Sequence, residues 1–128
     1  MSKYFHPLEF KACTPSCDIS QMNSSFLSKL DLLRDMCGFP LVLNCAFRTP
    51  EWDKSKGRSG NSYHTKGLAV DVRCYDSQKR AEIVCGALVL GLSVGVYSSF
   101  IHIDMRPEDK QVCFYGISYG AVSSPGMD

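Results

Sequence analysis

VGVYSSFIHIDM, residues 94–105, reads as two strands folded back on each other. Val94 to Tyr97 and Phe100 to Met105 are apolar and β-branched, and Ser98-Ser99 between them is a turn signal. In the second strand Ile101, Ile103 and Met105 share one face, so His102 and Asp104 share the other. Upstream, Leu68 to Cys74 alternates in the same way: Leu68, Val70 and Val72 on one side, Ala69, Asp71 and Arg73 on the other. Two strands therefore each offer polar groups on a face that can line a cleft.

Helical signals surround these strands. Phe26, Leu27, Leu30, Leu33 and Cys37 recur at helical spacing, with Asn23 or Ser24 as N-cap and Gly38 followed by Pro40 as the stop. Ser77 to Leu90 forms a second helix, with Ala81, Val84, Ala87 and Leu88 on its apolar side and Gly91 at its end. Leu41 to Phe47 reads as a buried strand, Thr49 to Asn61 as a long polar loop and Gln111 to Tyr115 as an edge strand. Residues 1–22 read as an extended arm, because Pro7 and Pro15 oppose a helix. Residues 120–128 read as a frayed tail. The expected fold is α+β: one domain over residues 1–128, with a central, mainly antiparallel sheet flanked by two main helices.

Composition narrows the function. The chain has 128 residues, enough for one core, with 45% hydrophobic and 21% charged residues. Its 14 basic and 13 acidic residues give a net charge of +1. That balance lacks the concentrated basic face a nucleic-acid partner requires. Lys54, Lys56 and Arg58 read as a solvated loop. The longest apolar run, Ile83 to Val96, is broken by Gly86, Gly91 and Ser93 and falls short of the about 18 residues that span a bilayer. The first residues lack a signal-peptide layout, so synthesis in a cytoplasm is expected. Seven cysteines are present. Cys37, Cys45, Cys74 and Cys85 sit among apolar neighbours and read as core residues. Cys13 and Cys17 read as two reduced thiols, with a disulfide or half of a metal site as alternatives.

His64 and Asp71 flank a turn at Lys66-Gly67, and His102 comes from a neighbouring strand. A catalytic zinc takes three such ligands and leaves a fourth position open. A lone strand histidine is more often structural than a ligand, but Asp71 within an apolar run calls for a partner or a metal.

Ser-x-His-x6-Asp, residues 62–71, followed about thirty residues later by His102-x-Asp104, resembles the M15 zinc peptidases. These are D-alanyl-D-alanine carboxypeptidases, dipeptidases and phage endolysins that cut peptidoglycan peptides. The resemblance extends over most of the chain, through the opening arm at Phe5 to Phe10, the helix and strand from Phe26 to Leu43, and Ala46-Phe47-Arg48-Thr49-Pro50. It implies a zinc ion held by His64, Asp71 and His102, with Arg48 gripping a substrate carbonyl or carboxylate and Ser62 hydrogen-bonding substrate. Several branches of the family carry an acid three residues before the last histidine as general base. Ser99 stands there in this chain, and Asp104 takes the assignment, with support of a histidine ligand as its competing role. Hedgehog signalling domains are similar in the His-x6-Asp motif yet bind rather than cleave, so a non-catalytic zinc-stabilised module is the alternative function. The implied setting is a monomer acting on the bacterial cell wall, encoded by a phage or a bacterium.

Overall fold

The computed structural model describes residues 2–11, 13–14 and 17–116. The N-terminal arm is not wholly extended. Pro7 opens a short helix, α1 (Pro7–Lys11), that buries Phe10. Proline suits a first helical position, where its missing N–H has no intrahelical partner. Pro15 and the tail from residue 120 lie outside the described residues.

Helix α2 (Ser24–Cys37) begins where Asn23 accepts a hydrogen bond from the Phe26 N–H and ends at Gly38, whose φ of 76° is left-handed. Its buried stripe is Phe26, Leu27, Leu30 and Leu33. After strand β1 (Val42–Cys45) comes helix α3 (Pro50–Ser55), which corrects the expectation of a polar loop over residues 49–61. The Thr49 side chain caps the Trp52 N–H, Pro50 sits in the first turn, and Glu51 and Asp53 favour the helix dipole. Helix α4 (Ser77–Val89) follows strand β2 (Ala69–Arg73). Its buried residues are Ile83, Gly86 and Ala87, whereas Ala81 and Cys85 are exposed. Of the apolar side expected, Ala87 is buried and Val84 and Leu88 pack against the core, and Ala81 alone is exposed. Gly86 lets α2 come close, since a Cβ there would stand 2.7 Å from a Leu33 methyl.

Strands β3 (Ser93–Val96), β4 (Phe100–Asp104) and β5 (Cys113–Tyr115) complete a five-stranded sheet in the order β1-β2-β4-β3-β5. Pairings β1–β2, β2–β4 and β3–β4 are antiparallel, and β5 runs parallel to β3. The α+β expectation holds, including the hairpin at Ser98-Ser99. One strand differs: β1 is an edge rather than a buried strand, with Val42 43% exposed. The core lies on one face of the sheet, where Val70, Val72, Ile101, Ile103 and Val94 meet the stripes of α2 and α4.

The link between β2 and what precedes it depends on one glycine. A 3-10 turn (Tyr63–Lys66) ends at Gly67, with φ 71°, and the Gly67 carbonyl accepts the Asn23 N–H at 2.9 Å. A Cβ on Gly67 would stand 2.1 Å from the Gln21 carbonyl oxygen, which is backbone and cannot swing aside. Gly67→Ala is therefore expected to cost about 2 kcal/mol or more, through left-handed strain and overpacking combined. Thermal unfolding checks it.

Candidate metal centre

The site is a row of residues across the sheet. Cys45 on β1 stands opposite Asp71 on β2, Asp71 opposite His102 on β4, His102 opposite Gly95 on β3, and Gly95 beside Phe114 on β5. Facing residues on paired strands project from the same side, so register alone gathers these side chains. The β1 register shifts between Leu43 and Cys45, and that irregularity sets Cys45 opposite Asp71. Gly95 has a packing reason: a Cβ there would stand 2.4 Å from the Phe114 ring. Its bareness lets Phe114 lie over β3, with its ring centroid 5.6 Å from that of His102.

His64 comes from the 3-10 turn rather than the sheet. It is fully buried, and its Nδ1 lies 2.7 Å from the Ala46 carbonyl oxygen. A carbonyl can only accept, so Nδ1 carries the proton and Nε2 presents a lone pair. That Nε2 has no hydrogen-bond partner and points at Asp71 Oδ1, 3.3 Å away. Two electron-rich atoms facing each other in a buried site call for a cation between them.

His102 repeats the pattern. Its Nε2 donates to Asp104 Oδ2 at 2.8 Å, and its Nδ1 faces Asp71 Oδ1 at 3.0 Å. Either a second proton or a cation must occupy the Nδ1 side. His64 Nε2 and His102 Nδ1 thus both face Asp71 Oδ1, at 3.3 Å and 3.0 Å. Ligands at about 2.0–2.1 Å from a tetrahedral zinc stand roughly 3.3 Å apart, so each histidine's spacing from Asp71 Oδ1 suits such an ion.

Charge follows the same geometry. Burial pushes His64 below the ordinary imidazole range, against the pull of Asp71. For Asp71, burial works upward, but the neighbouring histidines hold its carboxyl well below the usual range. Burial also opposes charge on His102, yet hydrogen bonds to Asp104 and Asp71 raise it.

Asp104 is completely buried. Burial would raise its carboxyl, but hydrogen bonds from His102 and Arg106 lower it. Arg106 grips both oxygens, through Nε at 2.9 Å and Nη2 at 3.0 Å. The guanidinium lies 4.9 Å from the Tyr63 ring centroid and 5.6 Å from that of Phe114, at distances typical of cation–π contact. Asp104 therefore meets the His102 ring at the edge away from Asp71.

Arg48 is buried, 5% exposed. Its Nη1 pairs with Asp53 Oδ1 at 2.8 Å, its Nε donates to Cys45 Sγ at 3.1 Å, and its Nη2 faces Asp71 Oδ2 at 3.7 Å. Asp53, wholly buried on α3, also accepts the Gly60 N–H at 3.0 Å and the Ser62 hydroxyl at 3.2 Å. Ser62 sits at the N-cap of the 3-10 turn, but its hydroxyl makes no cap hydrogen bond. One buried carboxylate thus fixes Arg48, Ser62 and the loop before His64. Sequence reading passed over Asp53. The Thr49-Pro50 helix start could have found it, since it turns a loop acid into a helical one facing inward.

Cys45 was also passed over as a core thiol. It is half-buried, and it forms with His64 and Asp71 a group whose donor atoms all lie within 4.8 Å of one another. Burial pushes its thiol up to about 11. All seven cysteines are free thiols, and the Cys13 thiol donates to the Glu9 carbonyl at 3.2 Å.

No curated protein matches the chain. The profile of the family described as peptidase M15 matches residues 3–104, which include every site residue from Cys45 to Asp104. That span covers most of the molecule and carries the gathered donors, and the chain belongs to the peptidase M15 family.

Proposed function

We propose that the chain is a zinc-dependent peptidase acting on peptidoglycan stem peptides, as a D-alanyl-D-alanine carboxypeptidase or an endopeptidase. The observation that carries this reading is the buried His64 Nε2, without a hydrogen-bond partner, facing Asp71 Oδ1 beside His102 Nδ1. Two imidazoles and a carboxylate are a donor set that suits zinc. His64, Asp71 and His102 would hold the ion, which when bound supplies a Lewis acid that polarises the scissile carbonyl and lowers the pKa of water. The peptidoglycan substrate rests on the resemblance of the Ser62-to-Asp71 and His102-to-Asp104 motifs. Action on a bacterial cell wall, by a monomer of phage or bacterial origin, belongs to the same reading. Among the described residues no helix is long and apolar enough to cross a membrane.

The chain's own residues divide the work. The Ala46 carbonyl fixes the His64 tautomer so that Nε2 faces the centre. Asp104 accepts the His102 Nε2 proton and leaves Nδ1 turned toward Asp71. Of the two roles weighed for Asp104, this geometry supports orientation of His102, because Arg106 engages both carboxylate oxygens. Arg48 Nη2 steadies the outer oxygen of Asp71 and is placed to contact a substrate carbonyl or carboxylate at the edge of the site. Arg48 and Ser62, the two candidate substrate contacts, both hang on Asp53.

Chain purified without chelator should contain about one zinc and release peptides from purified peptidoglycan. Zinc at that level with no peptide release would favour the non-catalytic module. Absence of metal together with no activity on added zinc overturns both.

A further inference from the structure

The metal centre has a second donor set built over the first. Cys45, His64 and Asp71 offer sulfur, nitrogen and oxygen atoms that all lie within 4.8 Å of one another. Cys45 Sγ lies beside the His64 ring, 3.8 Å from its protonated Nδ1, and Arg48 Nε donates to the same sulfur at 3.1 Å. The His64 Nε2, fully buried, aimed at Asp71 and without a hydrogen-bond partner, gives this cluster a nitrogen donor that packing alone leaves unused. Replacing His102 by Cys45 changes the chemistry of the set, because thiolate selects softer ions than imidazole or carboxylate do.

We propose that Cys45, with His64 and Asp71, forms a binding site for a thiophilic divalent cation, overlapping the His64–Asp71–His102 set. The cation binds as the thiol proton leaves to solvent and a sulfur–metal bond forms, so binding through Cys45 releases one proton per ion from sulfur. The two sets share His64 and Asp71, so they compete, and a soft ion on Cys45 withdraws two ligands from the other centre. The inference shares those two residues with the proposed peptidase but does not need catalysis.

Cadmium is the probe. Metal-free full-length chain is titrated with cadmium ions while the near-ultraviolet thiolate–cadmium absorption and proton release are read. The wild type should show a saturating absorption step at one ion per chain. Cys45→Ser, nearly isosteric and checked for an unchanged melting curve, should lose that step. Cys13→Ser/Cys17→Ser should keep it, which separates Cys45 from the neighbouring thiol pair. His102→Ala should also keep it, because His102 is outside this set. The proposal is overturned if Cys45→Ser retains the full step, if the step follows Cys13 and Cys17, or if His102→Ala removes it. Zinc content and peptide release of the wild type report separately on the peptidase reading. A chain lacking both yet keeping the Cys45-dependent step would lose that reading and keep this site.

Discussion

Asp104→Asn is expected to weaken zinc binding by roughly 10- to 100-fold, with turnover returning as zinc is raised. Asparagine keeps the shape of the side chain, and its carbonyl can still accept the His102 Nε2–H. What it loses is the negative charge that makes the imidazole a better donor and that pairs with Arg106 through two hydrogen bonds. Arg106 would then lie between the Tyr63 and Phe114 rings without its carboxylate, so some loosening of the Phe114 edge should accompany the weaker affinity. Zinc affinity by competition with a chelator, and turnover against zinc concentration, make the measurement. Turnover abolished while zinc stays bound at wild-type affinity would instead make Asp104 the proton acceptor.

Arg48→Ala should destabilise the metal-free chain by about 3–5 kcal/mol, the usual cost of removing one partner from a buried ion pair. The Arg48 side chain is 6% exposed, and that of its partner Asp53 is 0% exposed. Truncation leaves the Asp53 carboxylate buried without its guanidinium partner, beside the Gly60 N–H and the Ser62 hydroxyl. It also removes the donor to Cys45 and the cation beside Asp71. An exposed arginine would instead lose within about 1 kcal/mol, as at most surface positions. Denaturant unfolding at equilibrium decides between them. Activity lost in this variant must be read against its folded fraction, because the same substitution removes a fold contact and a candidate substrate contact together.

The sequence by itself determined most of the framework. Local signals did so wherever they acted within one element: the Asn23 cap and Gly38 stop of α2, the alternation in β2 and β4, and the Ser98-Ser99 turn. That Asp71 and His102 share one face of paired strands was legible because strand alternation says which residues point together. Helix α3 was missed although Thr49-Pro50-Glu51 is a helix start, because the Gly-, Lys- and Ser-rich stretch after it dominated the reading. On α4 the spacing rightly set Val84, Ala87 and Leu88 toward the core, whereas the close approach of Gly86 to Leu33 is a matter of tertiary packing.

Only the tertiary structure decided the partners. Whether Cys45 packs as a hydrophobe or faces His64 and Asp71 depends on the register shift in β1, which no local pattern encodes. Whether Asp104 meets the outer or the inner edge of His102 depends on side-chain direction, and Arg106 helps to fix it from outside the strand. Arg48 reads as a cleft residue until Asp53, five positions along, is turned inward by α3 and takes its charge. Local propensity acts over a few residues of chain. Burial, and the pairing that burial forces on charged groups, is set by residues distant in sequence that the fold brings within about 3 Å of one another.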